Sequence, residues 1–207
     1  SDVLIPESVT SIGSKAFYKC TSLIQIVFPS SLKTINEKAF FGCTSINQIT
    51  IPSTVKSIGK NAFEYCKSVK TITVDPYQTK INTDAFSNCS LPTLIISTCS
   101  SSIEKFDIQT IGQFSKITIP SFITSIGDCA FQGCSELKQI NIPYSVVSIG
   151  EKAFSECTSL SQIIIPSSVK TIGRYAFLKC SSLSQITIPS MVKSIELGTF
   201  SECSCLN

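Results

Sequence analysis

The sequence contains no histidine and no tryptophan, and methionine occurs once. Without histidine, these 207 residues hold no Ser-His or Cys-His catalytic pair and no histidine-ligated metal site. No apolar stretch approaches the roughly 20 residues of a membrane-spanning helix. The sequence therefore predicts no enzyme active site, no cofactor, no metal and no membrane insertion within this stretch of chain.

Charge is sparse as well. Seventeen Lys and Arg residues against fourteen Asp and Glu residues give a net charge of +3, and they are scattered, so the sequence predicts no nucleic-acid partner. The carboxylates that could be considered for acid-base chemistry fall at turn positions of separate repeats: Glu37, Asp84, Asp128 and Glu151. Several of them stand beside lysines, as expected for a solvated surface.

A 23-residue repeat fills the chain. The segment 166–188 reads PSSVKTIGRYAFLKCSSLSQITI, and related repeats begin at Pro6, Pro29, Pro52, Asp75, Ser97, Pro120, Pro143, Pro166 and Pro189. A fixed period of this length is typical of a solenoid, in which no repeat can bury its own apolar face and each needs its neighbours.

Within the repeat, the recurring residue types predict the core. Position 7 is isoleucine in all nine repeats, and position 12 is phenylalanine in all but one, where Ile108 replaces it. We expect both to point inward and the rings to stack. Position 8 is glycine in five repeats (Gly13, Gly59, Gly127, Gly150 and Gly173) and asparagine in two others, which predicts a turn with positive φ. The proline at position 1 lacks an N–H group and should end each strand.

The pattern L-x-x-I-x-I-P-x-x-V-x-x-I-G-x-x-A-F-x-x-C resembles the BspA-like leucine-rich repeat family over the whole chain. The resemblance implies a curved right-handed leucine-rich-repeat solenoid of about nine rungs. Its L-x-x-I-x-I segments would form a parallel β-sheet on one face, usually taken as concave, with short second strands and short helical turns elsewhere. It also implies surface-exposed or secreted parent proteins that work in adhesion and recognition.

The uninterrupted array predicts a single domain over residues 1–207, with an irregular repeat at about 90–119. There Glu104 replaces the turn glycine, Asp107 the alanine and Ile111 the cysteine. Because the chain begins and ends inside a repeat, we expect it to be part of a longer array.

Eleven cysteines fall into two classes. Eight occupy position 15 (Cys20, Cys43, Cys66, Cys89, Cys134, Cys157, Cys180 and Cys203), whereas Cys99, Cys129 and Cys205 do not. Side chains stacked in parallel about 4.8 Å apart are poorly placed for bridging, so we expect the row to be buried, reduced thiols.

Two rows of strand side chains alternate away from the core, at positions 20 and 22. The candidate binding residues among them are Gln25, Gln48, Thr50, Thr71, Thr73, Thr118, Gln139, Asn141, Gln162, Ile164, Gln185 and Thr187. Such a neutral, mildly apolar face suits a protein partner, although stacked Gln and Thr side chains could instead simply support the sheet.

Lysines also recur at position 5, where they could attract an anionic glycan or simply increase solubility: Lys33, Lys56, Lys170 and Lys193. The leading hypothesis is a non-enzymatic recognition or adhesion module of a cell-surface or secreted protein, binding a host or matrix surface protein. The alternatives are an intracellular scaffold for protein assembly and the binding region of a hydrolase whose catalytic domain lies elsewhere. A signal peptide or anchor in the parent gene would favour adhesion.

Overall fold

The computed structural model describes residues 2–82, 84–90, 93–104 and 114–207. The chain divides into two compact units, one within Ser1–Thr98 and the other within Cys99–Phe106 and Phe114–Asn207. Much of the irregular fifth repeat, including Asp107, Ile108 and Ile111, lies outside the described residues.

Most repeats contribute a first strand that begins at position 20 and a two-residue second strand at positions 6–7. In the first unit the strands are β1 Asp2–Leu4, β2 Ser11–Ile12, β3 Gln25–Val27, β4 Thr34–Ile35, β5 Gln48–Thr50, β6 Ser57–Ile58, β7 Thr71–Val74, β8 Lys80–Ile81 and β9 Thr93–Ile96. In the second unit they are β10 Ser102–Ile103, β11 Lys116–Thr118, β12 Ser125–Ile126, β13 Gln139–Asn141, β14 Ser148–Ile149 and β15 Thr171–Ile172.

All strand pairing is parallel and joins equivalent repeat positions. In the first unit the second strands pair in the order β2-β4-β6-β8, and the first strands pair as β1-β3 and β5-β7-β9. In the second unit the second strands pair as β10-β12-β14-β15, and β11 pairs with β13. Ser57 faces Lys80 and Gln48 faces Thr71, each one repeat away. The fold is therefore the predicted parallel β-solenoid, with about seven turns rather than nine.

The position-7 isoleucines form the predicted core row. Ile12, Ile35, Ile58 and Ile81 are buried in the first unit, as are Ile103, Ile126, Ile149 and Ile172 in the second. The exception is Ile195, which is 52% exposed. Residues 194–195 form no strand, so the last repeat does not extend the row of second strands, and the prediction that Ile195 points inward is wrong.

The phenylalanine column is confirmed in both units. Neighbouring rings are nearly parallel, with centroids 4.9 Å apart for Phe17 and Phe40 and 5.0 Å apart for Phe40 and Phe63. In the second unit Phe154 stacks on Phe131 at 5.3 Å and on Phe177 at 5.4 Å. Offset stacking of this kind stabilises beyond simple burial.

The expected short helical turns are absent, since none of the described residues is helical. Positions 8–18 instead form successive tight turns, in which Ala16 N donates to Gly13 O and Tyr18 N donates to Lys15 O. Positions 10 and 14 are left-handed, as at Lys38 (φ 54°) and Gly42 (φ 70°). A positive φ at every fourth residue stops a right-handed helix before it completes two turns.

The position-8 glycines do not have positive φ, so the reason inferred for them was wrong. Four of them, Gly59, Gly127, Gly150 and Gly173, instead lie in close approach to the preceding repeat, whereas Gly13 has open space around it. A Cβ on Gly150 would lie 2.6 Å from Asp128 N and Gly127 C, in the backbone of the preceding coil. A Cβ on Gly173 would lie 2.6 Å from Glu151 N for the same reason.

Gly150→Ala should destabilise the protein by about 1–3 kcal/mol, because the new methyl group collides with backbone that cannot move without disturbing the stack. Gly13→Ala is the matched control, since a Cβ there would meet nothing within 4 Å. We expect this control to change stability by less than about 0.5 kcal/mol. Equal losses in chemical denaturation of the two variants would contradict the close-approach explanation.

Phe63→Ala should cost about 3–5 kcal/mol, because it opens a cavity in the column between Phe40 and Phe86. Since each coil contacts only its neighbours, hydrogen exchange should rise first in the adjacent repeats. Phe122→Ala, which removes a ring that is already 50% exposed, is the control and should have little effect. Uniform loosening of the whole chain would be inconsistent with a solenoid.

Candidate functional site

The strand face is the surface formed by side chains at positions 20 and 22 of the first strands. In the first unit Gln25, Gln48 and Thr50 are exposed, and Thr71 and Thr73 are half-buried. They alternate with the buried residues Ile26, Ile49 and Ile72. The outward direction predicted for these candidate residues is therefore observed.

The second unit carries the same face. Gln139, Asn141, Gln162, Ile164, Gln185 and Thr187 are exposed, and Thr118 is half-buried. Beyond β13 the row continues as isolated bridges, in which Asn141 pairs with Ile164 and Gln162 pairs with Gln185. Ile164, which bridges to Asn141, is an apolar side chain on this face and is 80% exposed.

Hydrogen bonds between side chains are sparse on this face. Within the described residues the contact found is Gln48 Nε2 to Thr50 Oγ1 at 3.4 Å, along a single strand. The side-chain amides of four glutamines form no such bond with a neighbouring repeat: Gln25, Gln139, Gln162 and Gln185. Amides that do not bond one another remain able to bond a partner, so the arrangement does not favour a self-supporting ladder.

Charge is nearly absent from the strand face. Among the described residues its positions carry two charged residues, Asp2 on β1 and Lys116, which is exposed on β11. A surface with exposed amides, hydroxyls and a few apolar side chains resembles the ordinary composition of a protein interface. It cannot steer an approaching ligand by long-range electrostatics.

The lysines considered at position 5 divide between the two units. Lys33 and Lys56 lie on adjacent coils of the first unit, where Lys56 N donates to Lys33 O. Lys170 belongs to the second unit, where its backbone N bonds to Val147 O. Lys193 precedes residues that form no strand. On the coil after Lys56, Lys80 of β8 stands at position 6 and faces Ser57. Sequence reasoning did not include Lys80 because it considered lysines at position 5 only.

A further surface missed by the sequence reasoning lies on two consecutive coils of the second unit. Phe122, Tyr144 and Val147 are 50%, 78% and 42% exposed. They occupy positions 3, 2 and 5, where the regular repeats carry mainly small polar or charged residues. The sequence feature that could have identified this surface is the presence of bulky apolar residues at repeat positions outside the core pattern.

The acidic residues considered for catalysis take surface roles. Glu37 pairs with Lys38 at 3.6 Å and Glu151 with Lys152 at 3.4 Å. Asp128 Oδ1 accepts a hydrogen bond of 2.7 Å from Glu151 N. The described residues contain no group of three or more potential ligands arranged to hold a metal ion. They also include no helix that is long and apolar enough to cross a membrane.

The cysteine row is a ladder of thiol-to-carbonyl hydrogen bonds. Cys43 Sγ donates to Phe17 O at 3.1 Å, and Cys66 Sγ donates to Phe40 O at 3.3 Å. The same bond to the phenylalanine of the preceding repeat is made by Cys89, Cys157, Cys180 and Cys203. All eleven cysteines are free thiols. The row therefore joins adjacent coils without covalent bridges.

The extent of burial differs among the cysteines of this row. Cys43, Cys66, Cys157 and Cys180 are buried, whereas Cys89, Cys134 and Cys203 are half-buried. Cys20 is exposed, so the expectation of burial is wrong for this residue. Cys20 lies in the first turn segment of the described residues, so no preceding turn segment among them covers it. Among the cysteines outside the row, Cys99 and Cys205 are exposed and Cys129 is half-buried.

Burial also suppresses ionisation. It raises the pKa of Cys43 to about 11 and that of Cys89 to about 12, and it raises the pKa of Cys66 and Cys180 further. The pKa of Cys157 is raised by its hydrogen bond with Cys134 and by burial. Because thiolate is the reactive form, these cysteines are unsuited to nucleophilic or redox chemistry.

Parallel coils with a 23-residue register, an isoleucine row and a phenylalanine column define a leucine-rich-repeat solenoid. The sequence profile of the "BspA type Leucine rich repeat region" family matches residues 1–109 and 101–207. The chain belongs to this family.

Several solved structures of leucine-rich repeat proteins are similar to this chain. A leucine rich cell surface protein from Faecalibacterium prausnitzii is 30% identical with a TM-score of 0.53, and the match covers 100% of this chain and 58% of that one. A leucine-rich repeat protein from Bacteroides ovatus is 24% identical, with a TM-score of 0.46 and coverage of 100% and 77%. The T. pallidum leucine-rich repeat protein is 25% identical, with a TM-score of 0.44 and coverage of 99% and 66%.

The chain thus spans 58% of the length of the F. prausnitzii chain. A comparison with curated protein sequences found no match.

Thiol labelling of the folded protein near pH 8 should be fast at the exposed residues Cys20, Cys99 and Cys205 and slow at Cys43, Cys66, Cys157 and Cys180. Denatured protein without reductant should label at all eleven cysteines. Mass mapping of the labelled peptides measures both. Rapid labelling of Cys66 in folded protein, or loss of free thiols, would contradict a buried and reduced row.

Proposed function

We propose that this chain is a non-enzymatic recognition module whose strand face binds a protein, within a cell-surface or secreted adhesion protein. The observation that carries the proposal is the strand face itself. Its glutamine amides are exposed, have no side-chain partner in neighbouring repeats and lie on rigidly paired strands. A pre-organised surface loses little side-chain and backbone freedom on binding.

Apolar side chains on the same face supply area for burial. Ile164 is 80% exposed, and Leu4 and Val27, which face each other in the pairing of β1 with β3, are 79% and 48% exposed. Covering such side chains is favourable by about 25 cal/mol for each Å² removed from water. The mixture of amides, hydroxyls and isolated apolar residues fits a protein ligand better than a small molecule, which needs a concave pocket.

The surface location rests on the relatives. The protein from F. prausnitzii is described as a leucine rich cell surface protein, and its 30% identity supports the same location for this chain. A host or matrix protein is then the natural ligand. Absence of histidine and of any metal-ligating group among the described residues supports a binding role over catalysis.

Two alternative functions would place the chain in a different kind of parent protein. An intracellular assembly scaffold would use the same face on an intracellular partner. A hydrolase would carry its catalytic residues outside this chain and use the solenoid to hold its substrate. The parent gene distinguishes them, because a signal peptide or anchor favours adhesion and a catalytic domain favours the hydrolase.

Charge placed on the strand face should abolish binding while leaving the fold intact. The variants are Gln48→Lys in the first unit and Gln139→Lys, Gln162→Lys and Ile164→Lys in the second, each tested against a panel of matrix and cell-surface proteins. A charge buried without a partner typically costs more than about 2 kcal/mol, so affinity should fall at least about 30-fold.

Lys60→Glu and Lys170→Glu are the controls, because both lysines are exposed and lie away from the strand face. Their effects should stay below about 0.5 kcal/mol. Thermal unfolding checks that every variant is folded. Loss of binding in the controls with retention in the strand-face variants would reject the strand face as the contact surface. Loss in a Tyr144→Glu variant alone would move the contact to the exposed patch of Phe122, Tyr144 and Val147.

A further inference from the structure

The first unit carries a row of lysines on the sheet formed by the second strands, away from the strand face. We infer that Lys33, Lys56 and Lys80 form a binding site for a linear anionic polysaccharide, one that bears sulfate or carboxylate groups. This site is separate from the proposed protein-binding face and does not depend on it.

The backbone places these three lysines on consecutive coils. Lys56 N donates to Lys33 O at 2.7 Å, and Lys80 N donates to Lys56 O at 2.9 Å. Lys33 and Lys56 occupy equivalent positions, whereas Lys80 lies one position further along its coil and faces Ser57. Parallel strands lie about 4.8 Å apart, which sets the spacing between coils. All three lysines are exposed, so the first unit presents a group of three ammonium groups on neighbouring coils.

Among the described residues, no carboxylate forms an ion pair with these three lysines. The ion pairs found among the described residues are Lys38 with Glu37, Lys152 with Glu151 and Lys179 with Glu156. Lys56 Nζ instead contacts the neutral Gln78 Oε1 at 3.5 Å. Like charges held at this spacing repel, and a ligand with regularly spaced anions would relieve the repulsion along the whole row.

The surroundings of the row favour a polysaccharide over an acidic protein segment. The outward side chains of β4 and β6, beside the lysines, are Thr34 and Ser57. Thr34 Oγ1 donates to Ser11 Oγ at 2.7 Å, so the neighbouring surface is lined with hydroxyls. The isoleucines of β4, β6 and β8 point inward and are buried. Hydroxyls and ammonium groups together match a chain of sugars with anionic substituents, and a protein partner would find no apolar side chain on these strands to cover.

The second unit has the same sheet without the row. At the positions equivalent to Lys33 and Lys56, its coils carry Ser101, Thr124, Val147 and Lys170, and the outward residues of β10, β12 and β14 are serines. The two units therefore present the same backbone with different charge. This contrast supplies a control within one molecule.

The test measures binding of the whole chain to heparin oligosaccharides, which are sulfated, and to hyaluronan, which carries carboxylates only. The triple variant Lys33→Gln, Lys56→Gln and Lys80→Gln should weaken binding about tenfold, since each exposed ion pair contributes a small factor and three combine. Binding by the natural sequence should also fall between about 0.05 and 0.2 M salt, and the triple variant should show a smaller salt dependence.

The matched control is Lys138→Gln, Lys170→Gln and Lys193→Gln, which removes the same charge from exposed lysines of the second unit. It should weaken binding less than about threefold. Equal weakening by the two triple variants would overturn the inference in favour of bulk charge, and so would failure of the natural sequence to bind either polysaccharide at low salt. Single-stranded DNA binding more tightly than heparin through the same three lysines would replace the polysaccharide with a nucleic acid.

Gln48→Lys and Ile164→Lys should leave polysaccharide binding unreduced, because those side chains lie on the other sheet. Failure of protein binding at the strand face and failure of this site are therefore separate outcomes. Thermal unfolding of the lysine variants should match the natural sequence, since exposed side chains that form no ion pair are replaced.

Discussion

Hydrogen bonding between the backbones of consecutive coils is the constraint on which the rest of the structure depends. The bonds run in the strands, where Gly59 N donates to Ile35 O at 2.8 Å, and in the turns, where Phe40 N donates to Ala62 O at 2.7 Å. Each coil is thereby held at a strand spacing from the next and in the same register. Side chains of neighbouring coils are consequently stacked on their equivalents one repeat away. This explains the parallel phenylalanine rings and the bonds from six of the row cysteines to the phenylalanine carbonyl of the preceding repeat.

The period and the apolar pattern were sufficient to predict the solenoid and its core rows, and the parallel pairing was implied by the family resemblance. The period could not reveal what the glycines do. Glycine at position 8 fits two explanations, a left-handed backbone or a close approach, and only the distance from a Cβ on Gly150 to Asp128 N distinguishes them. The left-handed positions 10 and 14 carry no single residue type, because Lys, Tyr, Asn and Gly all occur there. The stacking of neighbouring coils compensates the backbone strain at these left-handed positions, so glycine is not required at either of them.

The strand face could be predicted for a simple reason: strands alternate, and the inward residues were unmistakable isoleucines. The lysines of the first unit were predicted only in part. The sequence reasoning followed position 5, which in the fourth repeat is Thr79, with its Oγ1 bonded to Val55 O at 2.9 Å. Lys80 falls at position 6 and faces Ser57. Following a single repeat position could not show that a lysine at the neighbouring position lies on the next coil.

Because stacking uses the backbone and the inward side chains, the outward positions are free to differ between repeats at little cost in stability. At positions 2–6 the first unit carries Lys33, Lys56 and Lys80, whereas the second carries Phe122, Tyr144 and Val147. The same coil thus offers an uncompensated charged surface in one unit and an apolar surface in the other. A row of three lysines would be costly if its side chains also had to pack, but here they extend into water and repulsion between them is screened. A single scaffold can therefore present several surfaces of different chemistry, each altered without disturbing the core.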